Sequence, residues 1–383
     1  MAEIVKGFRD IEDASKRILI RNIIEDVFKK YCFIPVETPV IEYEEFVKGN
    51  NENDEAVSDI FKLEDRGKRK LALRYEFTFQ LKRLAKNKKL PFRRYQIGYV
   101  FRDEPTSGNR WRQFTQCDAD IVGSTEKEEA EILKIASEIL EKLGIEFVIK
   151  INNRKLLNEI IEKEGIKEKE SVIREIDKLD KISEEEVRKN LEKFKAEKVL
   201  DITKKPADFF EKYDAYKEIL SFKKACELYN VKVEFVPFLA RGLSYYTGTI
   251  FEIKSKLKEV IVAGGSYLVN GIKSTGISFG LDRLEILASI QEKKNNLLII
   301  SINQEKEAIK LAESLRKEGI ACSVYYDKVT KGLDYANSYL IPYVLFVGEE
   351  EVKAKKFKLR DMKSGKEKML NAEKICEEIL KKN

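Results

Sequence analysis

The chain has 383 residues, 43% of them hydrophobic and 37% charged; it contains no histidine, and 73 Lys and Arg against 67 Asp and Glu leave a formal charge of +6. That length suits two or three domains of about 100–200 residues each. The missing imidazole excludes Ser-His-Asp and Cys-His nucleophiles and histidine-bearing zinc sites, so chemistry must rest on carboxylates, arginines, lysines, tyrosines or an oxygen-held metal.

The five cysteines (Cys32, Cys117, Cys226, Cys322, Cys376) are scattered and never form Cys-x-x-Cys, which argues against a disulfide framework or thiolate cluster and for a reducing, cytoplasmic setting. The opening Met1-Ala-Glu-Ile-Val-Lys6 lacks the basic and apolar regions of a signal peptide, and the longest apolar runs are strand-sized, so a soluble protein with no membrane attachment is expected. The net charge is too mild to argue for a nucleic-acid partner.

In chain order, Ile11, Ile18, Ile20, Ile23, Ile24, Val27 and Phe28 recur at near-helical spacing and predict an amphipathic helix. Residues 31–40 follow with Pro35 and Pro39, which exclude a helix and suit an edge or interface strand; 49–58 reads as a mobile polar loop. From Arg93 to Val122 the pattern is two strands around a turn at 105–109. Arg112, Phe114, Gln116, Asp118 and Asp120 share one parity and therefore one face. Together with Arg102 and Glu104, that face carries too much charge to pack on apolar core, and should meet solvent or a polar ligand.

Residues 124–143 read as a helix, and 153–230 as an inserted, highly charged helical module. Strand character returns at 231–238, 245–253, 259–262 and 275–279, with a helix from about Leu281. The antiparallel-sheet domain is thus formed by 1–152 and 231–292. After the polar linker at 293–296, strands (297–302, 321–325, 343–347, 357–361) and helices (304–318, 333–340, and one from Asn371) predict a small α/β domain at 295–383 with a mostly parallel sheet.

Several motifs carry a family resemblance. Phe101-Arg-Asp-Glu104 and Arg110-Trp-Arg-Gln-Phe114 resemble motif 2 of class II aminoacyl-tRNA synthetases, Gly280-Leu-Asp-Arg283-Leu resembles motif 3, and 31–39 resembles motif 1. Leu239-Ala-Arg241-Gly-Leu-Ser-Tyr245-Tyr246 and Ala263-Gly264-Gly265-Ser-Tyr267 resemble the two peptides peculiar to histidyl-tRNA synthetases, and Lys6-Gly-Phe-Arg-Asp10 resembles their opening. The resemblance implies an α+β fold with a class II antiparallel sheet flanked by helices, a helical insertion and a C-terminal α/β anticodon-binding domain. It implies ATP with Mg²⁺, histidine and tRNA(His) as reactants, and a homodimer.

By the same resemblance Arg102 bridges the α-phosphate and the substrate carboxylate, Arg241 takes the α-phosphate from the opposite side, and Arg283 contacts the γ-phosphate. Guanidinium forks suit such anions. Glu104 sits near the adenine, with Arg110 and Arg112 in or beside the ATP-facing turn. Glu76 and Thr78 match the amino-group binders; Gln116, Asp120, Tyr245 and Tyr246 line the histidine side. Asp120 stands where bacterial relatives usually have Glu. Ser244 replaces a common Asp, and Ser266-Tyr267-Leu268 replaces Arg-Tyr-Asp, removing an expected ion pair from the pocket wall.

Outside such motifs a strand arginine is most often a solvated surface residue, and Arg74, Arg93 and Arg94 are read so. A Gly264-Gly265 pair by itself marks a turn or bulge. Lys353, Lys355, Lys356, Lys358 and Arg360 form a basic cluster, either contacting anticodon-stem phosphates or protecting an edge strand. The 153–230 insert either touches the acceptor arm or is a solvated cap. Competing functions are a non-catalytic regulatory subunit of ATP phosphoribosyltransferase and an uncharged-tRNA sensor. Because such a ligase supplies histidyl-tRNA, a chain without histidine would be translated without consuming its own product.

Overall fold

The first amphipathic run folds as the helix Ser15–Lys30, burying Ile20, Ile24, Val27 and Phe28. The computed structural model describes residues 3–49, 55–108, 110–180, 182–241, 245–256, 260–290 and 296–380. Loop residues 50–54, Asn109, Ser244, Glu259 and linker residues 293–295 lie outside them. Two units divide the chain, 1–290 and 291–383.

The first unit is built on eight strands: β1 (Ile34–Pro35), β5 (Phe92–Phe101), β6 (Gln113–Val122), β7 (Val148–Asn153), β8 (Glu234–Phe235), β9 (Tyr246–Lys254), β10 (Val262–Val269) and β11 (Ile272–Gly280). Their order is β1-β5-β6-β11-β10-β9-β7-β8, antiparallel throughout except at the two short ends, β1 with β5 and β7 with β8. A separate small sheet holds β2 (Ile41–Tyr43), β3 (Lys62–Glu64) and β4 (Lys70–Leu73) in the order β2-β4-β3.

One face of the large sheet is closed by helices Ser15–Lys30 and Glu126–Lys142. The second begins at a capping box, in which the Thr125 backbone N–H donates to Glu128 at 2.7 Å, an arrangement contributing about 1 kcal/mol. Ile132, Leu133, Ile139 and Leu140 point from it into the core, each fully buried aliphatic side chain adding roughly 1.5–3 kcal/mol.

The charged 153–230 stretch is helical at Arg154–Lys163, Lys169–Ile176, Glu184–Glu192, Glu197–Ile202 and Asp214–Leu228. Its apolar stripe (Leu156, Ile160, Ile173, Leu191, Val199, Phe222) joins the same core as Phe28, Ile139 and Phe251. Charge on these helices therefore marks mainly their outer faces, with Arg154 the buried exception among the described residues. No helix among the described residues is long and apolar enough to cross a membrane.

The second unit has five strands, β12 (Leu297–Ser301), β13 (Cys322–Tyr325), β14 (Tyr343–Val347), β15 (Phe357–Asp361) and β16 (Glu367–Leu370), ordered β13-β12-β14-β15-β16. β12 pairs parallel with β13 and β14, but β15 and β16 are antiparallel. The sheet is thus mixed, not mostly parallel. Only a six-residue helix, Glu349–Ala354, separates β14 from β15, shorter than the dozen or more residues a parallel crossover needs. β15 is flanked on both sides, so its Lys358 and Arg360 do not guard an edge; both lie near Glu367, at 3.5 and 3.7 Å. Lys353 is on the short helix, paired with Glu349 at 2.5 Å.

Candidate active site

Antiparallel pairing of β5 with β6 sets Arg94 opposite Asp120, Gln96 opposite Asp118 and Gly98 opposite Gln116. The polar parity seen in the sequence is one wall of a cleft of about 890 Å³ within the first unit. Arg102, Glu104, Arg110, Gln116, Asp120, Arg241, Tyr245, Tyr246, Glu76, Thr78 and Arg283 all line it, as does Asp118. Arg112 does not: it turns to Asp103 at 2.9 Å and to the Glu104 carbonyl at 3.2 Å.

The cationic end is preassembled. Arg102 donates to the Tyr75 carbonyl at 3.1 Å and lies over the Phe114 ring at 5.2 Å, while Glu104 meets Arg110 at 3.2 Å. Arg241 donates to Glu252 at 2.6 Å; burial opposes its charge, but Glu252 outweighs that, and its guanidinium is held above its ordinary range. Arg283 donates to the Val260 carbonyl. Its helix, Leu281–Leu287, is pinned by the preceding Asp282, which accepts from Arg17 at 2.9 Å, Arg9 at 2.8 Å and the Thr115 N–H at 3.0 Å. Motif 3 is thus tied to β6 and to the first helix by a carboxylate the sequence reading passed over.

The other end is acidic and aromatic. Arg94 is fully buried and pairs with Asp120 at 2.7 Å, also donating to the Phe77 carbonyl at 3.0 Å. Arg74 is buried too, donating to the carbonyls of Tyr99 and Thr38 at 2.8 and 2.7 Å, and Arg93 is half-buried against Glu131 at 2.6 Å. The surface reading of these three arginines is therefore overturned. Each finds a partner brought by the fold from elsewhere in the chain.

The Tyr267 hydroxyl donates to Asp120; burial nevertheless pushes the Asp120 carboxyl up, against Arg94 and Tyr267. Burial and then Asp120 push Asp118 up to about 8, with Arg94 opposing. Tyr245 donates to Glu76 at 3.3 Å and packs its ring 4.7 Å from Tyr246 and 5.6 Å from Tyr267. Gln116 donates to Ser278 at 2.6 Å. Gly264 and Gly265 lie within β10, where the register with β9 shifts just after them. On neighbouring β11, a Cβ at Gly276 would stand 2.1 Å from Asp120 Oδ1, so the buried carboxyl requires glycine there. Of the departures noted in the sequence, Ser266 is buried in β10.

A family model described as Histidyl-tRNA synthetase matches residues 7–284, and one described as Anticodon binding domain matches 296–382. The chain belongs to the histidyl-tRNA synthetase family. It is 34% identical to Histidine--tRNA ligase 2 of Shouchella clausii over 95% of this chain and 96% of that one, and 36% identical to Histidine--tRNA ligase 1 of Bacillus anthracis at the same coverage. It superposes on the crystal structure of histidyl-tRNA synthetase from Nostoc sp. PCC 7120 with a TM-score of 0.84, 26% identity, and coverage of 100% and 99%.

The fold is also shared, at 21% identity and a TM-score of 0.76 over 88% of this chain and 96% of that one, with an ATP phosphoribosyltransferase regulatory subunit/histidyl-tRNA synthetase from Bacillus halodurans. Among the described residues of this family member, no group of three or more Cys, Asp or Glu side chains is placed to hold a metal ion. A side-chain cage of three or more ligands for Mg²⁺ therefore does not fit among the described residues.

Proposed function

We propose specific roles for the cleft residues in the reaction of this family. The chain is a histidine–tRNA ligase, an enzyme that joins histidine to ATP as histidyl-adenylate with release of pyrophosphate, then passes the acyl group to the 3′ end of tRNA(His). The observation that carries the role assignment is the division of one cleft into an arginine end and an acidic, aromatic end. An amino acid is a carboxylate beside an ammonium, so such a division orients it one way.

In-line attack of the carboxylate on the α-phosphate brings two anions together and accumulates charge at phosphorus. Arg102, at the junction, takes the carboxylate and the α-phosphate in one fork; Arg241 faces the same phosphate from β9's side, already aimed by Glu252; Arg283 takes the γ-phosphate. Glu104, with Arg110, accepts from the adenine amino group. Glu76 and Thr78 take the substrate ammonium, and Gln116 fixes the same end. Arginines pre-fixed by carbonyls and carboxylates act without reorganising as the charge develops. ATP brings Mg²⁺ on its phosphates, and no step is assigned to the ion.

For acyl transfer no protein imidazole exists, and a phosphate oxygen of the adenylate serves as base. Alanine at Glu76, Glu104 and Asp120, assayed in single-turnover transfer from preformed adenylate, should leave the transfer step running; loss of that step alone would identify a protein base instead. The exposed apolar side chains of Ile34, Val40, Ile41 and Tyr43, around the motif 1 segment, support a homodimer, and free cysteines throughout support a cytoplasmic location. The second unit, with Lys356, Lys358 and Arg360 beside β15, receives the anticodon arm. Charging of tRNA(His) with radiolabelled histidine tests the reading: histidine-specific, ATP-dependent charging is expected, and charging by another amino acid or none would refute it.

A further inference from the structure

The motif 2 turn, residues 102–112 between β5 and β6, is held by a segment far from it in sequence, residues 7–9. The Gly7 carbonyl accepts from the Arg112 N–H at 2.9 Å, at a Gly7 φ of +87°. A Cβ there would stand 2.6 Å from the Arg112 side chain, so glycine is what lets the segment lie against the turn. Phe8 packs edge-on against Phe61, with ring centroids 6.0 Å apart. Arg9 then makes two contacts at once. Its guanidinium lies 4.7 Å over the Trp111 ring and donates to Asp282 at 2.8 Å, so residues 7–9 strap motif 2 to motif 3.

The two contacts of Arg9 fall on the immediate neighbours of two arginines assigned to ATP. Trp111 follows Arg110, which meets Glu104 at the adenine end, and Asp282 precedes Arg283, assigned to the γ-phosphate. All five of these residues line the cleft. Arg9 is not among the lining residues, and its side chain is 35% exposed. Its removal would leave Asp282 with Arg17 and the Thr115 N–H, so no buried charge is stranded. A group whose loss spares the core, yet which joins the flanks of both nucleotide arginines, is placed to fix geometry. A turn fixed beforehand need not be ordered by the nucleotide at a cost in binding free energy.

Resting on the assignment of this cleft to histidine activation, we propose that Arg9 is a positioning residue for ATP. It holds Trp111 and Asp282 so that the pair of Glu104 with Arg110, and Arg283, stand ready at the two ends of the nucleotide. Lysine would keep the charge toward Asp282 but has no planar face to lay over the indole. The stack therefore specifies arginine as much as the charge does. Histidine is held at the other end of the cleft, by Glu76, Thr78 and Gln116, so loss of the strap falls on the nucleotide.

Trp111 is the single tryptophan of the chain, which makes indole emission a reporter of the turn. The test compares the full chain with Arg9→Met, Arg9→Lys and Gly7→Ala, in histidine-dependent exchange of pyrophosphate into ATP and in titration of tryptophan emission with ATP alone. Arg9→Met should raise the ATP KM, and the ATP concentration at half-maximal emission change, by about fivefold to thirtyfold. The histidine KM and the melting temperature should not move. Arg9→Lys should fall between wild type and Arg9→Met. Gly7→Ala, which lifts the strap by its backbone and keeps Arg9, should raise the ATP KM as well. An unchanged ATP KM, an equal rise in both KM values, a lysine variant no better than methionine, or a loss of ATP affinity that comes only with a lowered melting temperature would each overturn the proposal. Wild-type exchange beside an indifferent Arg9→Met sinks this proposal alone. An emission response to ATP that Arg9→Met weakens, in an enzyme silent toward histidine, upholds Arg9 and sinks the cleft assignment.

Discussion

The two sheets of this chain treat charge in opposite ways. The eight-stranded sheet buries Arg94, Asp118, Asp120 and Glu252 on its strands, whereas among the described residues of the second unit the only buried polar residue is Ser301. Burying an ion is costly unless it is paired, so a sheet that does so repeatedly is retaining those groups for something other than stability. The five-stranded sheet keeps Lys358 and Arg360 part-exposed beside Glu367, where charges can meet a polyanion without desolvation. Enclosed charge suits a small substrate read group by group, and surface charge suits a long backbone.

The largest effect should come from breaking the enclosed pair. Arg94→Met leaves Asp120 buried without its cation and should lower unfolding free energy by about 3–5 kcal/mol, read by urea denaturation. A loss below 1 kcal/mol would mean the pair is dispensable to the sheet. Next, Arg102→Ala removes a charge-stabilising donor and should reduce the pyrophosphate-exchange rate by about 10²–10³-fold with the melting temperature kept.

The polar parity of β6 was legible in the sequence, as were the first helix, the strand pair 92–122 and the motif arginines. What parity cannot say is whether a face is open or enclosed. Arg94 looks like any strand arginine until Asp120, set opposite it by register, and Tyr267, 147 positions beyond Asp120, close over it. Asp118 shared the parity of Gln116 and Asp120, and its enclosure, 4% exposed, exists only once β11 pairs beside it. The helix Glu349–Ala354 and strand β16 were missed because six and four residues are too short for an apolar period to be read. The shared core of the 153–230 helices was obscured for the opposite reason, since dense charge on their outer faces outweighed a buried stripe in composition.

Two smaller effects sharpen the contrast between the sheets. Asp118 binds a proton more tightly folded than unfolded, so its contribution to stability is fully present below about pH 4 and is lost as pH rises toward about 8. Asp118→Asn should then exceed wild type in stability at pH 8.5 by on the order of 1 kcal/mol or more, measured by denaturant titration at that pH and at pH 5, where the gap should narrow. Smallest is Lys358→Ala with Arg360→Ala: tRNA affinity should weaken by about threefold to tenfold and the salt dependence flatten by one or two charges, while histidine-dependent exchange stays at wild-type rate. A change in exchange would mean that this surface acts on the chemistry.

The division of the cleft into an end that handles phosphate and an end that selects the amino acid is tested most directly by Glu76→Gln in histidine-dependent pyrophosphate exchange. A histidine KM raised by about tenfold or more with the ATP KM unmoved is the predicted result. A rise in the ATP KM with the histidine KM unchanged would contradict it.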